Sequence, residues 1–264
     1  MTALSAGGEG STGSLVTVGR EGAIAILGLN RPEKLNAISS ALEEALQATL
    51  RHPDVVSSRC VVVTGGPKSF SAGADVTEMR DLSAEAVFAY YERTGGVYEA
   101  VAALPQPSVS AIAGYCLGGG LELALATDFR VAEETAVLGL PELDIGIVPS
   151  SGGIHRLVRF AGAATARELV LLRRRISAGE ALAAGLLTEV VPAGTALGRA
   201  LELAQQLAEL PPLATALARR AIDAAAESSR SVALLVEQLA YATLVQGAAS
   251  KHRLAAFGDS ERGE

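Results

Sequence analysis

An α/β fold is predicted for this chain. Short β-rich apolar runs alternate with stretches of helical period. Gly and Pro clusters punctuate the junctions between them. The last quarter is helical throughout. With 264 residues, 49% of them hydrophobic, the chain is long enough for one large domain, or one and a half ordinary ones, with a sizeable core.

The elements follow in order. Leu15–Val18 and Ala23–Leu29 read as an opening hairpin across Gly19-Arg20-Glu21-Gly22, broken by Arg31-Pro32. A helix is expected from about Ser40, with Leu42, Ala45, Leu46, Thr49 and Leu50 on one face and Pro53 at its end. Cys60-Val61-Val62-Val63 is a buried strand stopped by Gly65-Gly66-Pro67. The same grammar recurs with a helical stretch from Ala84 to Ala103, a strand at Ser108–Ala113, and a helix opened by a Gly triplet at about Gly120–Thr127. Phe129–Ala132 and Ala136–Leu138 are short strands. Ser177-Ala178-Gly179-Glu180 reads as a capping box, Gly185 closes its helix, and Glu189–Val191 is one more strand. Helices are expected over 195–210, 213–226, 231–247 and near 250–257. Residues 1–13 read as a disordered Gly/Ser-rich lead-in, 14–194 as the core and 195–264 as a C-terminal helical region.

Composition removes several function classes. A net charge of −7 opposes binding to a nucleic-acid backbone. Two cysteines, Cys60 and Cys116, make no disulfide framework and read as buried thiols of a reducing, cytoplasmic compartment. His52, His155 and His252 lack zinc-ligand spacing, so no metal is expected. The longest apolar stretch, Pro107–Thr127, carries a Gly triplet and Glu122, which a membrane span would not place at its centre.

Three segments can carry chemistry. In Ser71-Ala72-Gly73-Ala74-Asp75, small residues let a ligand approach the backbone, so the Ala74 N–H can meet a substrate oxygen. An ordinary tight turn would look the same. In Gly114–Glu122, three glycines start a helix and leave N–H groups unpaired at its positive end. Glu122 follows between Leu121 and Leu123. A carboxylate there suits the helix dipole, but apolar neighbours imply burial, which is costly without a function. In Leu140–Gly153, Pro141 and Gly146 shape a loop that presents Glu142 and Asp144; a solvated acidic loop is the plain alternative. Taken together, two backbone donors and two carboxylates meet the needs of reversible water addition to an unsaturated thioester. The donors hold the enolate, one carboxylate takes a proton from water, and the other gives one to Cα.

Phe70–Asp75, Ala113–Ala124, Pro141–Gly153, Asn30–Ala37 and Arg175–Ala181 together resemble the enoyl-CoA hydratase/isomerase (crotonase) family in order and spacing, from about residue 14 to 257. The resemblance implies a spiral of ββα turns with a C-terminal helical region that builds homotrimers, often paired into hexamers. It implies an oxyanion hole on the N–H groups of Ala74 and Gly119, with Gly118 beside it. It implies Glu122 as the group that activates water and Glu142 as the one that protonates Cα. Lys34, Leu35, Ala37, Ala72 and Asp75 are implied to line the acyl-CoA tunnel. No metal or redox cofactor is implied, coenzyme A being part of the substrate.

The expected activity is hydration of 2-enoyl-CoA to 3-hydroxyacyl-CoA. Its in-family rivals are isomerisation and decarboxylation, whose enzymes commonly lack one of the two glutamates. An RNA-binding relative would carry a lysine-rich helix, whereas Lys34, Lys68 and Lys251 are scattered. The chain departs from the family at Ser150-Ser151, His155, Leu172-Arg173 and the C-terminal tail. Met79, Leu82, Phe88, Tyr91 and Tyr98 lie on the stretch that often shapes the acyl pocket, and helix core is an equal reading for them. Arg31, Lys34 and Lys68 are candidate contacts for CoA phosphates, and the plain alternative is that lone surface cations usually hold no ligand.

Overall fold

The computed structural model describes residues 14–79, 83–94, 96–248 and 250–251. The expected lead-in over 1–13, the acyl-pocket candidate Leu82, the Met79 side chain and the chain beyond Lys251 lie outside the described residues.

β1 (Val16–Glu21) and β2 (Ile24–Leu29) form the opening hairpin, paired from Val16↔Leu29 to Glu21↔Ile24. The turn is tighter than the sequence reading. β1 runs on through Glu21, leaving Gly22 and Ala23 as the loop, with Gly22 at φ +56°. Four β-rich segments then join β2 edge to edge: β3 (Cys60–Thr64), β5 (Ser108–Ile112), β7 (Phe129–Glu133) and β10 (Glu189–Val191). Every pair after the hairpin is parallel, giving the order β1-β2-β3-β5-β7-β10.

Of a second, smaller sheet the sequence reading had only one strand, Ala136–Leu138, which the structure places at Val137–Gly139. β4 (Ser69–Ser71), β6 (Tyr115–Leu117), β8 (Val137–Gly139) and β9 (Arg175–Ser177) lie in that order. Successive turns of chain place one strand in each sheet, β3 then β4, β5 then β6, β7 then β8. The helices between turns are α3 (Ala84–Thr94) with α4 (Gly96–Ala102), α5 (Gly119–Ala126) and α6 (Gly153–Leu171). This is the expected spiral of ββα turns. The helix expected over 84–103 is present as α3 and α4, which lie on either side of residue 95, itself outside the described residues. α6 was not foreseen; it is interrupted at Gly162, whose φ of +78° no helix interior adopts.

Both faces of the large sheet are covered. Along β3, Val61 and Val63 face one cluster and Cys60 and Val62 the other, the period of two that a strand imposes. α1 (Ser40–Thr49) contributes Leu42 and Leu46 to the first cluster, with α2 (Pro53–Val56) after it. α8 (Ala196–Ala208) covers the second face. Its Ala196, Ala200 and Ala204, spaced four apart, form a small-residue stripe against Ile24, Cys60, Val109 and Val131. α7 (Ala178–Ala183) opens with the capping box foreseen for Ser177 and Glu180.

The chain divides into two compact units, one through Leu207 and the other from Ala208. The second contains α9 (Pro212–Glu227) and α10 (Arg230–Val245), packed on each other and joined by Ser228 and Ser229. No helix among the described residues is long and apolar enough to cross a membrane.

Ser39 caps α1, its Oγ accepting the Leu42 N–H at 3.2 Å in a buried setting. Ser39→Ala is expected to cost about 1 kcal/mol of stability. Urea denaturation of the two proteins measures it, and equal midpoints would refute it.

Candidate active site

The site grows from a place where two loops approach more closely than side chains allow. Gly120 starts the second residue of α5 against Ser71. A Cβ there would lie 2.7 Å from the Ser71 Cβ and 2.8 Å from its carbonyl oxygen. Gly73, at φ +102°, faces the Leu117 carbonyl, which a Cβ would meet at 3.0 Å. The Gly-rich sequences are therefore required by contact on both sides. The approach sets Ala74 opposite Gly119: a Cβ on Gly119 would sit 3.7 Å from the Ala74 nitrogen.

Both N–H groups are left over by the folding. Ala74 bridges Ile38, but that bridge uses the neighbours, with Ile38 N–H donating to Gly73 O and Asp75 N–H to Ile38 O, each at 2.8 Å. Gly119 is the first residue of α5, where no intrahelical acceptor exists. Neither N–H has a hydrogen-bond partner among the described residues.

One turn into α5 stands Glu122, 4% exposed. Its Oε1 accepts the N–H groups of Ser151 at 2.8 Å and Gly153 at 2.9 Å. Burial raises its proton affinity, while these two donors and the nearby Arg156 guanidinium pull it back. Glu142 comes from the other side, on a 3-10 turn (Glu142–Ile145) between Pro141 and Gly146, the latter at φ +77°. Its Oε1 would lie 3.0 Å from a Cβ on Gly118, so it abuts the entrance to α5. Its Oε2 is buried without a hydrogen-bond partner. Burial pushes its pKa up to about 7, with the Glu122 charge adding to the rise. The two carboxylates are thus unlike. One is clamped by donors, and the other is desolvated and holds its proton near neutrality.

The loop over 34–37 runs beside 72–75. Ala72 N–H donates to Leu35 O at 3.0 Å, and Ser71 Oγ to Asn36 O at 2.8 Å. Asn36 holds the loop: its Nδ2 donates to Gly65 O and Ser69 O, and its Oδ1 accepts the Arg31 N–H. Its φ of +55° follows Leu35 at +50°, a conformation asparagine tolerates better than most residues. Lys34 and Ala37 close the turn by Ala37 N–H to Lys34 O at 2.9 Å. Lys68 lines a cavity beside this loop with Pro32, Leu35, Asn36, Gly65, Pro67 and Ser69.

Some candidates have other engagements. The Asp75 carboxylate takes the Thr77 hydroxyl and the Arg31 guanidinium, the latter at 2.7 Å, and is held down to about pKa 2. Asp75 and Arg31 therefore brace the two loops against each other. His155 is on the exposed side of α6, Phe88 is 70% exposed, and Asp144 pairs with Arg173 at 3.2 Å. Tyr91 accepts a hydrogen bond from Ser150, linking α3 to the loop after Glu142.

Sequence reasoning missed a third buried carboxylate. Glu43 on α1, 4% exposed, accepts the hydroxyls of Tyr98 at 3.0 Å and Tyr90 at 2.9 Å. The Tyr98 hydroxyl would lie 3.2 Å from a Cβ on Gly119. The period of α1 offered a signal, because Glu43 adjoins the buried stripe of Leu42 and Leu46.

With the two sheets coiled as ββα turns about this corner, the fold is of the crotonase class. A family model described as enoyl-CoA hydratase/isomerase matches residues 19–262. The Bacillus subtilis protein YngF, assigned to the enoyl-CoA hydratases/isomerases, is 39% identical over 244 residues, 90% of this chain and 93% of that protein. The enoyl-CoA isomerase/hydratase fer4 of Mycosarcoma maydis is 37% identical over 239 residues, 87% of each chain. The crystal structure of an enoyl-CoA hydratase from Bacillus anthracis matches with a TM-score of 0.86 at 37% identity, covering 93% of this chain and 96% of that one. The chain belongs to the enoyl-CoA hydratase/isomerase family.

Gly153 gives the corner a sharp test. A Cβ there would lie 2.5 Å from Glu122 Cγ and 2.7 Å from its Oε1. Gly153→Ala is expected to displace the carboxylate and lower turnover by about 100-fold, the usual effect of misplacing a reacting group by an ångström. Steady-state rates on an enoyl-CoA check this, and a rate within about threefold of the parent would contradict it.

Proposed function

We propose that this protein is an enoyl-CoA hydratase that adds water across the double bond of 2-enoyl-CoA to give 3-hydroxyacyl-CoA. The observation that carries the reading is the contrast between two neighbouring carboxylates at one pair of backbone donors. The thioester oxygen sits between the N–H groups of Ala74 and Gly119 and gathers charge there as the enolate forms. Such a donor is worth roughly 10²–10³ in rate. Glu122, ionised, takes a proton from water as the oxygen bonds to Cβ. Glu142, protonated, gives its proton to Cα as the enolate collapses. The proton gained by Glu122 returns to Glu142 through solvent as product leaves. Lys34, Leu35, Ala37, Ala72 and Asp75 line the path of the CoA moiety, the last chiefly by its backbone. Coenzyme A enters only as part of the substrate, and no step calls for a metal or redox cofactor.

Isomerisation is the second reading, favoured by the composite names of YngF and fer4. It needs only one carboxylate to move a proton between carbons. The presence of both Glu122 and Glu142 favours hydration. A non-catalytic or RNA-binding role lacks support from a chain of net charge −7. Buried Cys60 and Cys116 support a reducing, cytoplasmic setting.

Hydration of crotonyl-CoA, followed at the enoyl-thioester absorbance, tests the proposal. Glu122→Gln and Glu142→Gln are each expected to lose about 10²–10⁴ in turnover while still polarising a bound conjugated acyl-CoA. The double variant should be little worse than the worse single one, because both groups serve one transition state. The proton on Glu142 is retained below its pKa of about 7, so the rate should fall as pH rises through 7. Glu142→Gln should lack that limb. A single variant within about tenfold of the parent would remove that glutamate from the mechanism.

We also infer a homotrimer or homohexamer. α9 and α10 expose Leu213, Ile222, Leu235, Leu239 and Tyr241, each more than half exposed, an apolar area that a lone chain would leave in water. Light scattering should show the assembly at micromolar concentration, and a stable monomer there would refute it.

A further inference from the structure

Glu122 is oriented entirely by main chain, so its orientation is only as firm as the segment that supplies the N–H groups. That segment, 151–153, lies at the foot of α6, and Gly152 stands at φ +88°. It has a support of its own on the side away from Glu122. Arg156, one turn into α6 and 8% exposed, reaches back so that its Nη1 donates to Ser151 O at 3.3 Å. The guanidinium lies against Gly152, where a Cβ would meet Nη1 at 2.3 Å and the Glu99 carboxylate at 3.1 Å. Glu99 on α4 accepts the other end of the fork, Nη2, at 2.7 Å. The order of contacts is therefore Glu99, Arg156, the Ser151–Gly152 backbone, Glu122.

We propose that Arg156, anchored by Glu99, is a positioning residue for Glu122: it pins the segment whose backbone donors aim the carboxylate and supplies a cation whose charge acts on it. The proposal rests on the reading of Glu122 as the base. The charged and titratable groups around Glu122 divide by element. α6 brings Arg156, with His155 on its exposed side. α4 brings Tyr98 and Glu99, α1 brings Glu43, and the turn after β8 brings Glu142. Arg156 is the cation of this group, and Glu43 and Glu142 oppose it. Loss of the guanidinium therefore loosens the donors and removes a charge that favours the ionised base, and both effects raise the pH at which Glu122 takes up its proton.

The experiment compares Arg156→Met, Arg156→Lys, Glu99→Gln and the pair Glu99→Gln/Arg156→Met by hydration rate, pH profile and the red shift of a bound conjugated acyl-CoA. Glu99 is 66% exposed at its side chain, so its substitution leaves the fold intact and keeps the test open if Arg156→Met folds poorly. Arg156→Met should lower kcat about 10- to 100-fold with KM within about threefold. Its acid limb should move up by about one unit. Arg156→Lys should keep the limb and recover part of kcat, because it restores charge without the fork. Glu99→Gln should lower kcat severalfold, and the pair should match Arg156→Met alone, since Glu99 acts only through Arg156. The red shift should persist in all four. An acid limb that stays put in Arg156→Met overturns the proposal, as does loss of the red shift, which would mean that the whole pocket had moved. In the same series, Glu122→Gln at the parent rate would instead sink the reading of Glu122 as base.

Discussion

The structure turns on the close approach of the 71–74 loop to the start of α5. Two backbones meet there at a distance that excludes a Cβ on Gly120 from Ser71 and crowds one on Gly73 against Leu117. The candidate site hangs from this contact. It sets Ala74 facing Gly119, it fixes where α5 begins, and it thereby places Glu122 one turn deeper in an all-buried helix. The neighbouring loop over 34–37 is keyed to the same strand through Asn36, and the Arg31–Asp75 pair braces the outside. A helix made of Gly-Gly-Leu-Glu-Leu-Ala-Leu-Ala has little polar surface and few side-chain constraints of its own. Its position comes from packing, and the glycines let that packing close.

Burial then divides the labour between the acids. A carboxylate in apolar surroundings must be neutralised, hydrogen-bonded or paired. Three solutions appear within one small volume. Burial raises the proton affinity of Glu122, and two backbone donors and a guanidinium offset part of that rise. Glu142 keeps a proton. Glu43 shares its oxygens with two tyrosine hydroxyls. The chemical difference between Glu122 and Glu142 is therefore a difference of partners, not of residue type.

Much of this was legible in the sequence, and the failures have physical reasons. The large sheet could be read because Cys60–Val63 and Ser108–Ala113 are apolar runs of strand length between Gly and Pro breakers. The small sheet was missed because β4, β6 and β9 are three residues long, too short for a period of two to register, and lie inside what read as turns. α6 was missed because it opens at Gly152-Gly153 and breaks again at Gly162, so its glycines read as loop although its apolar stripe reaches Leu157, Leu169 and Val170. At the site, the glutamates and donor glycines stood out because acid or glycine at those places is costly without a purpose. Glu43 did not, because an acid in the first turn of a helix is ordinary, and its tyrosine partners lie 47 and 55 residues away. The ion pair of Asp75 was hidden for the same reason, since its partner Arg31 lies 44 residues earlier.

The two amides proposed to hold the thioester oxygen belong to successive coils of the spiral, Ala74 after β4 and Gly119 just after β6. The chain between those points includes α4 and β5, and it returns to the small sheet through Ala113 and Gly114, which bond to Phe70 and bridge Ser69 of β4. Parallel pairing of β4 with β6 and of β6 with β8 sets the spacing of the two amides. The loop-out between the two amides thus also feeds the corner it leaves, bringing Tyr98 beside Gly119 and Glu99 onto Arg156, so the stretch that separates the donors helps to fix them.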